Sequence, residues 1–352
     1  MPDYTTWMSN AQIQNLTFGA LRIPGTHDSG SYSLELSLSQ IKYDEIKFLW
    51  SLDPGTAPSD GNWPWAGGKY YVGKELYTRI MTVVKAISVA QDQNTLQQLN
   101  GGIRYFDLRV YYDTSTNDFH VQHGLRGSKL SEIFDQVRQF IQQHPTSQEL
   151  IILELSHSNF NSLNARELTD KVSAMVRDYF GSNVYMPSGA SGTIYEFQLL
   201  SPLTVGSITN NKPAVMLLNT DRKEYTYRSM VINTQGYAGS GGSPDGVNSV
   251  PALIQREDGP LRNNPVGHIY GVGWCLTPRT SDVMREIQNT LVSNGATPLL
   301  QQLALEANNA LTTFMEAHQK CAFNLITVDW YETGGPKTVV DICVSLNMGH
   351  PI

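Results

Sequence analysis

Long apolar runs are missing from this sequence. No stretch of about 18 apolar residues could span a bilayer, and the opening Met-Pro-Asp-Tyr-Thr-Thr-Trp has neither the basic segment nor the apolar run of a secretory leader. Charge is scarce too, at 16% of residues against 40% hydrophobic. That composition excludes a disordered chain and supplies material for a large core. Positive charge is in deficit: 25 Lys and Arg against 32 Asp and Glu leave a formal net charge of -7. Without a basic field to hold a polyanion, the chain is not expected to bind nucleic acid, and strong electrostatic attraction to anionic membranes is disfavoured. Cysteine is nearly absent. Cys275, Cys321 and Cys343 cannot all pair, lack the spacing of a metal knuckle, and read as small buried hydrophobes.

What is present is an alternation of strands and helices. At 352 residues the chain suits one barrel of roughly 250 residues plus insertions, and one domain over 1–352 is expected, with an aromatic, Gly- and Pro-rich insertion around 40–75. Phe18 to Ile23 reads as a strand ended by Pro24-Gly25, entering a loop that carries Thr26, His27, Asp28 and Ser29. Ile103 to Tyr112 reads as a strand, with Asp107 and Arg109 on one face. Leu130, Ile133, Phe134, Val137, Phe140 and Ile141 recur at helical spacing until His144-Pro145, and Glu149 to Ser156 follows as a buried strand. A helix near Ala165 to Tyr179, strands near Ala214 to Asn219 and Ile269 to Cys275, helical sequence from Ser281 to His318 and a strand from Phe323 to Trp330 continue the order. Such alternation marks a parallel sheet covered by helices, either an open doubly wound sheet or a closed barrel. Polar groups at scattered strand ends (His27-Asp28, Asp107-Arg109, Ser156-His157 and Asp329) fit a barrel, whose C-terminal strand ends share one mouth. The Gly-rich stretch Gly236 to Gly246 lacks phosphate-loop spacing and reads as a surface loop.

Transfer of a phosphoryl group between oxygens needs a base, an acid and positive charge on the phosphate oxygens. Two histidines and an arginine suffice, provided a carboxylate supports each imidazole. Ile23-Pro-Gly-Thr-His27-Asp28-Ser, Gly102-Ile-Arg-Tyr-Phe-Asp107-Leu-Arg109 and His120-Val-Gln-His123-Gly124 together resemble the X region of phosphatidylinositol-specific phospholipases C, most of all the small bacterial enzymes. The resemblance implies an irregular TIM-type (β/α) barrel with a parallel sheet and helices outside. It implies His27 as the base on the inositol 2-hydroxyl and His123 as the acid on the diacylglycerol oxygen, with His120 the second choice. It further implies Asp28 as the carboxylate beside His123 and Arg109 as the phosphate ligand. Asp107 would orient Arg109 or hold the attacking hydroxyl, and Asp329 is the best-placed carboxylate behind His27.

Calcium-dependent relatives place Asn after the first histidine and two acidic residues on the second strand. Here Asp28 and Arg109 stand instead, and a guanidinium supplies the positive charge while repelling a divalent ion. No cofactor and no metal are therefore expected, calcium through Glu154 being the alternative. The resemblance implies phosphatidylinositol or a related inositol phospholipid at a membrane surface as substrate, a monomeric protein and a secreted habit. His157, Arg222 and Trp274 are candidates for inositol contact, each with an alternative reading as a rim residue. Trp50, Trp63, Trp65, Tyr70 and Tyr71 form either an interfacial anchor or a lid. A glycerophosphodiester-cleaving barrel is the rival within enzymes, but its His-Arg-Gly start is missing. A barrel that kept its fold as a binding or toxin module is the rival outside them.

Overall fold

The computed structural model describes residues 3–40, 49, 51–55, 65–66, 69–156, 165–185, 195–219, 231–233, 238–239, 247–292 and 299–352. Nine strands form one parallel path, in the order Ala238–Gly239, Tyr270–Trp274, Leu325–Val328, Ile23–Thr26, Tyr105–Asp113, Leu150–Ser156, Ala214–Asn219, Val231–Asn233 and Tyr195–Glu196. Among the described residues no hydrogen-bonded pair joins the two ends of this path. Its curl is fixed by burial. Ile23, Tyr105, Ile152, Met216, Leu218 and Leu325 meet in one cluster, which a flat sheet with strands about 4.8 Å apart would keep well separated. The alternate residues, among them Phe106, Leu153, Leu217, Val272 and Ile326, face a second cluster shared with the surrounding helices. The sheet is thus apolar on both faces, as parallel strands require.

Helix Leu130–Gln143 covers the sheet with the six apolar residues that its periodicity picks out, all buried. Helices Ala165–Phe180, Val250–Asn263, Thr280–Val292, Leu299–His318 and Val339–Asn347 complete much of the outer layer. The last of these is held at its start by a capping box between Thr338 and Asp341. No helix among the described residues is long and apolar enough to cross a membrane.

The first strand departs from expectation. Phe18–Ala20 is a 3-10 turn, and the strand is Ile23–Thr26, with Pro24 and Gly25 inside it. Gly25 fits because a Cβ there would meet Leu325 Cδ1, Thr327 Cγ2 and Tyr105 Cβ at 3.0 to 3.1 Å. The breaker pair is an answer to crowding inside the barrel, not a turn. A second departure is a hairpin absent from the sequence reading. Tyr105–Asp113 pairs in parallel with Leu150–Ser156 up to Arg109, then runs on to pair antiparallel with Asp118–His123, which pairs in turn with Leu125–Lys129. The insertion carries a small sheet of Leu52–Asp53, Trp65–Ala66 and Lys69–Tyr71. The anchor-or-lid reading of its aromatic side chains, like the loop reading of Gly236 to Gly246, falls mostly outside the described residues.

The base of the barrel is plugged by Trp7, Met8, Ile13, Phe18 and Leu21 and by a buried ion pair. Arg104 and Glu149 are both fully buried, with Arg104 Nε donating to Glu149 Oε2 at 2.7 Å. The guanidinium also donates to the Leu99, Ile103 and Thr5 carbonyls, while Glu149 accepts from Ser9 N and Oγ. Such a pair tolerates no half measure, because removing one partner strands a buried charge. Arg104→Met is expected to cost about 3–5 kcal/mol in unfolding free energy, read by denaturant titration; a loss below about 1 kcal/mol would contradict this view of the barrel floor.

Candidate active site

Parallel register places the site. Thr26 is level with Val328 on one side and with Phe106 on the other, so the residues just beyond the strand ends at Thr26 and Val328 emerge side by side, next to Asp107. His27 and Asp329 are such a pair, and Nδ1 of His27 lies 2.8 Å from Asp329 Oδ1. Asp329 is buried, while the His27 side chain keeps 15% exposure, enough for its other edge to face the mouth. On that edge Arg109 Nη2 lies 2.7 Å from Nε2. A guanidinium can only donate, so Nε2 accepts and the proton of the neutral ring sits on Nδ1, donated to Asp329.

The two neighbours pull the ring in opposite directions. Burial disfavours the imidazolium, but the Asp329 carboxylate outweighs it and raises the His27 pKa well above the ordinary value. Cys275, also in contact with this ring, stays a thiol, because burial pushes its own pKa up to about 11. It therefore adds little charge, and Asp329 carries the effect. Arg109 opposes protonation by occupying the Nε2 lone pair. A ligand that drew Arg109 away would leave a strengthened base.

Asp28 points elsewhere than its neighbour because its backbone is left-handed, with φ of +46°. Asp107 holds that turn: its Oδ2 accepts from Asp28 N at 3.0 Å and its carbonyl from Ser29 N at 2.8 Å. The Asp28 carboxylate then meets His123 Nδ1 at 2.7 Å. Burial raises the pKa of Asp28, yet His123 and then Arg109 outweigh it and hold the group below the usual carboxylate range. The Nδ1–H of His123 is aligned with the Ser88 carbonyl at 2.8 Å, so Asp28 acts on the ring through charge more than through a directed hydrogen bond. The hairpin brings His123 back over the mouth, and Gly124, at φ of +72°, makes the turn that follows it. His120 is buried with Nδ1 on the Gly127 carbonyl at 2.9 Å, a structural position.

The structure therefore gathers His27, Asp28, Asp107, Arg109, His123 and Asp329 in one place. The inositol-contact candidates fare differently. His157 and Arg222 lie outside the described residues. Trp274 is corrected: it has 0% exposure, faces the helices, lies tilted against Phe314 with ring centroids 4.5 Å apart and donates from Nε1 to the Ala307 carbonyl at 2.7 Å. The strand alternation that puts Gly273 inward puts Trp274 outward. Glu154 is level with Asp107 on the next strand and is buried.

Sequence reading missed the strap at Ser88–Gln91. Its Gln91 Nε2 donates to the carbonyls of Val328 (2.8 Å) and His27 (3.1 Å), tying together the strand ends that carry His27 and Asp329. Ser31 Oγ accepts from Ala90 N and Gln91 N, and Ala90 O accepts from Trp330 N, which follows Asp329 with φ of +44°. Cys275 was also missed as a site neighbour. Neither a lone Gln nor a lone Cys leaves a local sequence signal. The described residues hold one group of side chains able to ligate a metal, His27, Cys275 and Asp329. With a thiol and an imidazole it does not suit calcium, which takes six to eight oxygen ligands.

The fold is an α/β barrel, and its mouth gathers two carboxylate-paired histidines around one guanidinium. Residues 68–205 match the family described as phosphatidylinositol-specific phospholipase C, X domain; this stretch contains Asp107, Arg109 and His123, while His27, Asp28 and Asp329 lie beyond it. The mouse PI-PLC X domain-containing protein 2 is 30% identical over 155 residues, 43% of this chain and 38% of the relative. Its human counterpart is 31% identical over 155 residues, 43% of each chain. The chain thus spans less than half the length of these curated relatives. Among solved structures, the phosphatidylinositol-specific phospholipase C of S. aureus aligns with a TM-score of 0.61 at 16% identity over 98% of both chains. That of Listeria monocytogenes aligns at 0.56 and 15% over 98% of this chain and 99% of that one. The fold is that of the bacterial phospholipase C barrels, and the X-domain resemblance read from the motifs is found over the matched region.

The pairing of His27 with Asp329 has a signed consequence. A group whose folded pKa is raised stabilises the fold at low pH and loses that contribution as pH rises through the folded value. NMR titration of the His27 ring is expected to give a pKa above the ordinary histidine value that falls in Asp329→Asn. An unchanged or higher value in the variant would contradict the assignment.

Proposed function

We propose that the protein cleaves phosphatidylinositol by attack of the inositol 2-hydroxyl on phosphorus. The observation that carries this reading is the pair of buried-carboxylate histidines, His27 with Asp329 and His123 with Asp28, flanking one guanidinium. Arg109 leaves Nε2 of His27 for the phosphate oxygens, where its fork matches the two nonbridging positions. His27 Nε2 then takes the 2-hydroxyl proton as the oxygen forms its bond to phosphorus. The bond to the glycerol oxygen breaks, and His123 protonates that oxygen. The products are diacylglycerol and inositol 1,2-cyclic phosphate, with all atoms accounted for. Asp107 acts by keeping Asp28 turned toward His123.

Metal independence is part of the proposal. Arg109 stands where a divalent ion would otherwise neutralise phosphate, and its fixed positive charge on the Nε2 edge of His27 disfavours an ion at that phosphate position. A protein that kept only the barrel for binding would have no physical need for two paired histidines around a cation, which supports catalysis over a passive module. The S. aureus structure bears on membrane binding of that enzyme, in keeping with an inositol phospholipid presented at a surface as the substrate proposed here.

Diacylglycerol release from phosphatidylinositol vesicles is expected to fall about 10²–10⁴-fold in His27→Ala and in His123→Ala; full activity in either sinks the base and acid roles. Arg109→Lys is expected to lower kcat about 10²-fold, because one ammonium cannot reproduce the fork. Treatment with EDTA is expected to leave the wild-type rate unchanged, and a loss restored by calcium would overturn the metal-free reading while sparing the two histidines.

A further inference from the structure

Three adjacent parallel strands end level with one another: Trp274, Val328 and Thr26 share one register across the sheet. The next residue on each is Cys275, Asp329 and His27. Their ligating atoms, Sγ, a carboxylate oxygen and an imidazole nitrogen, all lie within 4.8 Å of one another. Cys275 and Asp329 are buried, and His27 opens to the mouth. Nothing in the proposed reaction uses the Cys275 thiol, whose Sγ rests 3.7 Å from the Thr327 carbonyl.

We propose that Cys275, His27 and Asp329 form an inhibitory site for a thiophilic divalent cation of the Zn²⁺ class. Three protein donors of N, O and S type match the donor types and the number of protein ligands that such an ion takes when one non-protein ligand completes the tetrahedron. Tetrahedral bonds of about 2.0–2.3 Å need donor atoms roughly 3.3–3.7 Å apart, so the thiol has to move by about 1 Å or less. On binding, Cys275 releases its proton to solvent, and the one proton of the neutral His27 ring moves from Nδ1 to Nε2 as the metal takes Nδ1. The thiolate and carboxylate together match the charge of the ion, so the cluster, anionic through Asp329 before binding, becomes neutral, and Arg109 on the far ring nitrogen faces a gain of one positive charge. With that proton on Nε2, the nitrogen can no longer accept one from substrate, and Arg109 loses it as a hydrogen-bond acceptor. Loss of activity rests on the reading of His27 as base; binding of the ion does not.

The test is a titration of the purified full chain with Co²⁺, a spectroscopic stand-in for Zn²⁺. A thiolate-to-cobalt charge-transfer band in the near ultraviolet is expected, displaced by Zn²⁺ and absent in Cys275→Ser. In parallel, Zn²⁺ should inhibit phosphatidylinositol cleavage reversibly by EDTA, with the half-inhibitory concentration raised at least about tenfold in Cys275→Ser. Asp329→Asn keeps the thiol and should weaken Co²⁺ binding by at least about tenfold, so a serine variant that fails to fold leaves the matter decidable. No band in the wild type, a band unchanged in Cys275→Ser (metal then at Cys321 or Cys343), or equal zinc sensitivity of the two proteins would overturn the proposal. If the wild type does not cleave phosphatidylinositol at all, the function reading fails while the cobalt band still decides the site.

Discussion

The hydrogen bond between His27 and Asp329 is the constraint on which the site turns, and it follows from parallel register. Two neighbouring strands that end level deliver an imidazole and a carboxylate to the same height, 2.8 Å apart, without any long loop to position them. Everything else at the mouth secures that height. Gln91 ties the His27 and Val328 carbonyls, and the Ser88–Gln91 strap grips His123 on one side and Trp330 on the other. Strained backbone at Asp28 and Trp330 is tolerated because hydrogen bonds hold both turns.

Among the described residues, charge at the mouth is distributed in pairs. Asp329 faces the inner nitrogen of His27, Arg109 the outer one, and Asp28 lies within reach of both Arg109 and His123. The same principle rules the floor of the barrel, where Arg104 and Glu149 are fully enclosed. The floor pair is walled in by backbone carbonyls and serves the fold. The mouth cluster keeps solvent-facing edges on His27 and His123, with 15% and 24% exposure, which is what a substrate requires. Carboxylates that are buried beside open imidazoles are the arrangement expected for proton transfer.

How much of this was legible beforehand depended on whether the signal was local. The helix at Leu130 was readable because its apolar residues repeat at helical spacing, and the strand at Leu150 because it is a short unbroken apolar run. His27, Asp28, Asp107, Arg109 and His123 were readable through motif resemblance and Asp329 by its place at the end of a late strand, and the structure brings the six together. Pro24-Gly25 misled because a turn signal and an answer to barrel crowding look alike in sequence. Trp274 misled because only strand phase, fixed by the inward Gly273, tells mouth from outer layer. Gln91, Ser88 and Cys275 carried no local mark at all; their importance comes from strands and a strap that are distant in the chain.

Phosphatidylinositol followed by phosphorus NMR during turnover tests the central claim most directly, since the chemical shift of a five-membered cyclic phosphate is distinct from those of diesters and monoesters. Inositol 1,2-cyclic phosphate is predicted as the first phosphorus-containing product, formed at the same rate with chelator present. A monoester appearing first with no cyclic precursor, or no consumption of the lipid, would contradict attack by the inositol 2-hydroxyl and with it the roles given to His27, His123 and Arg109.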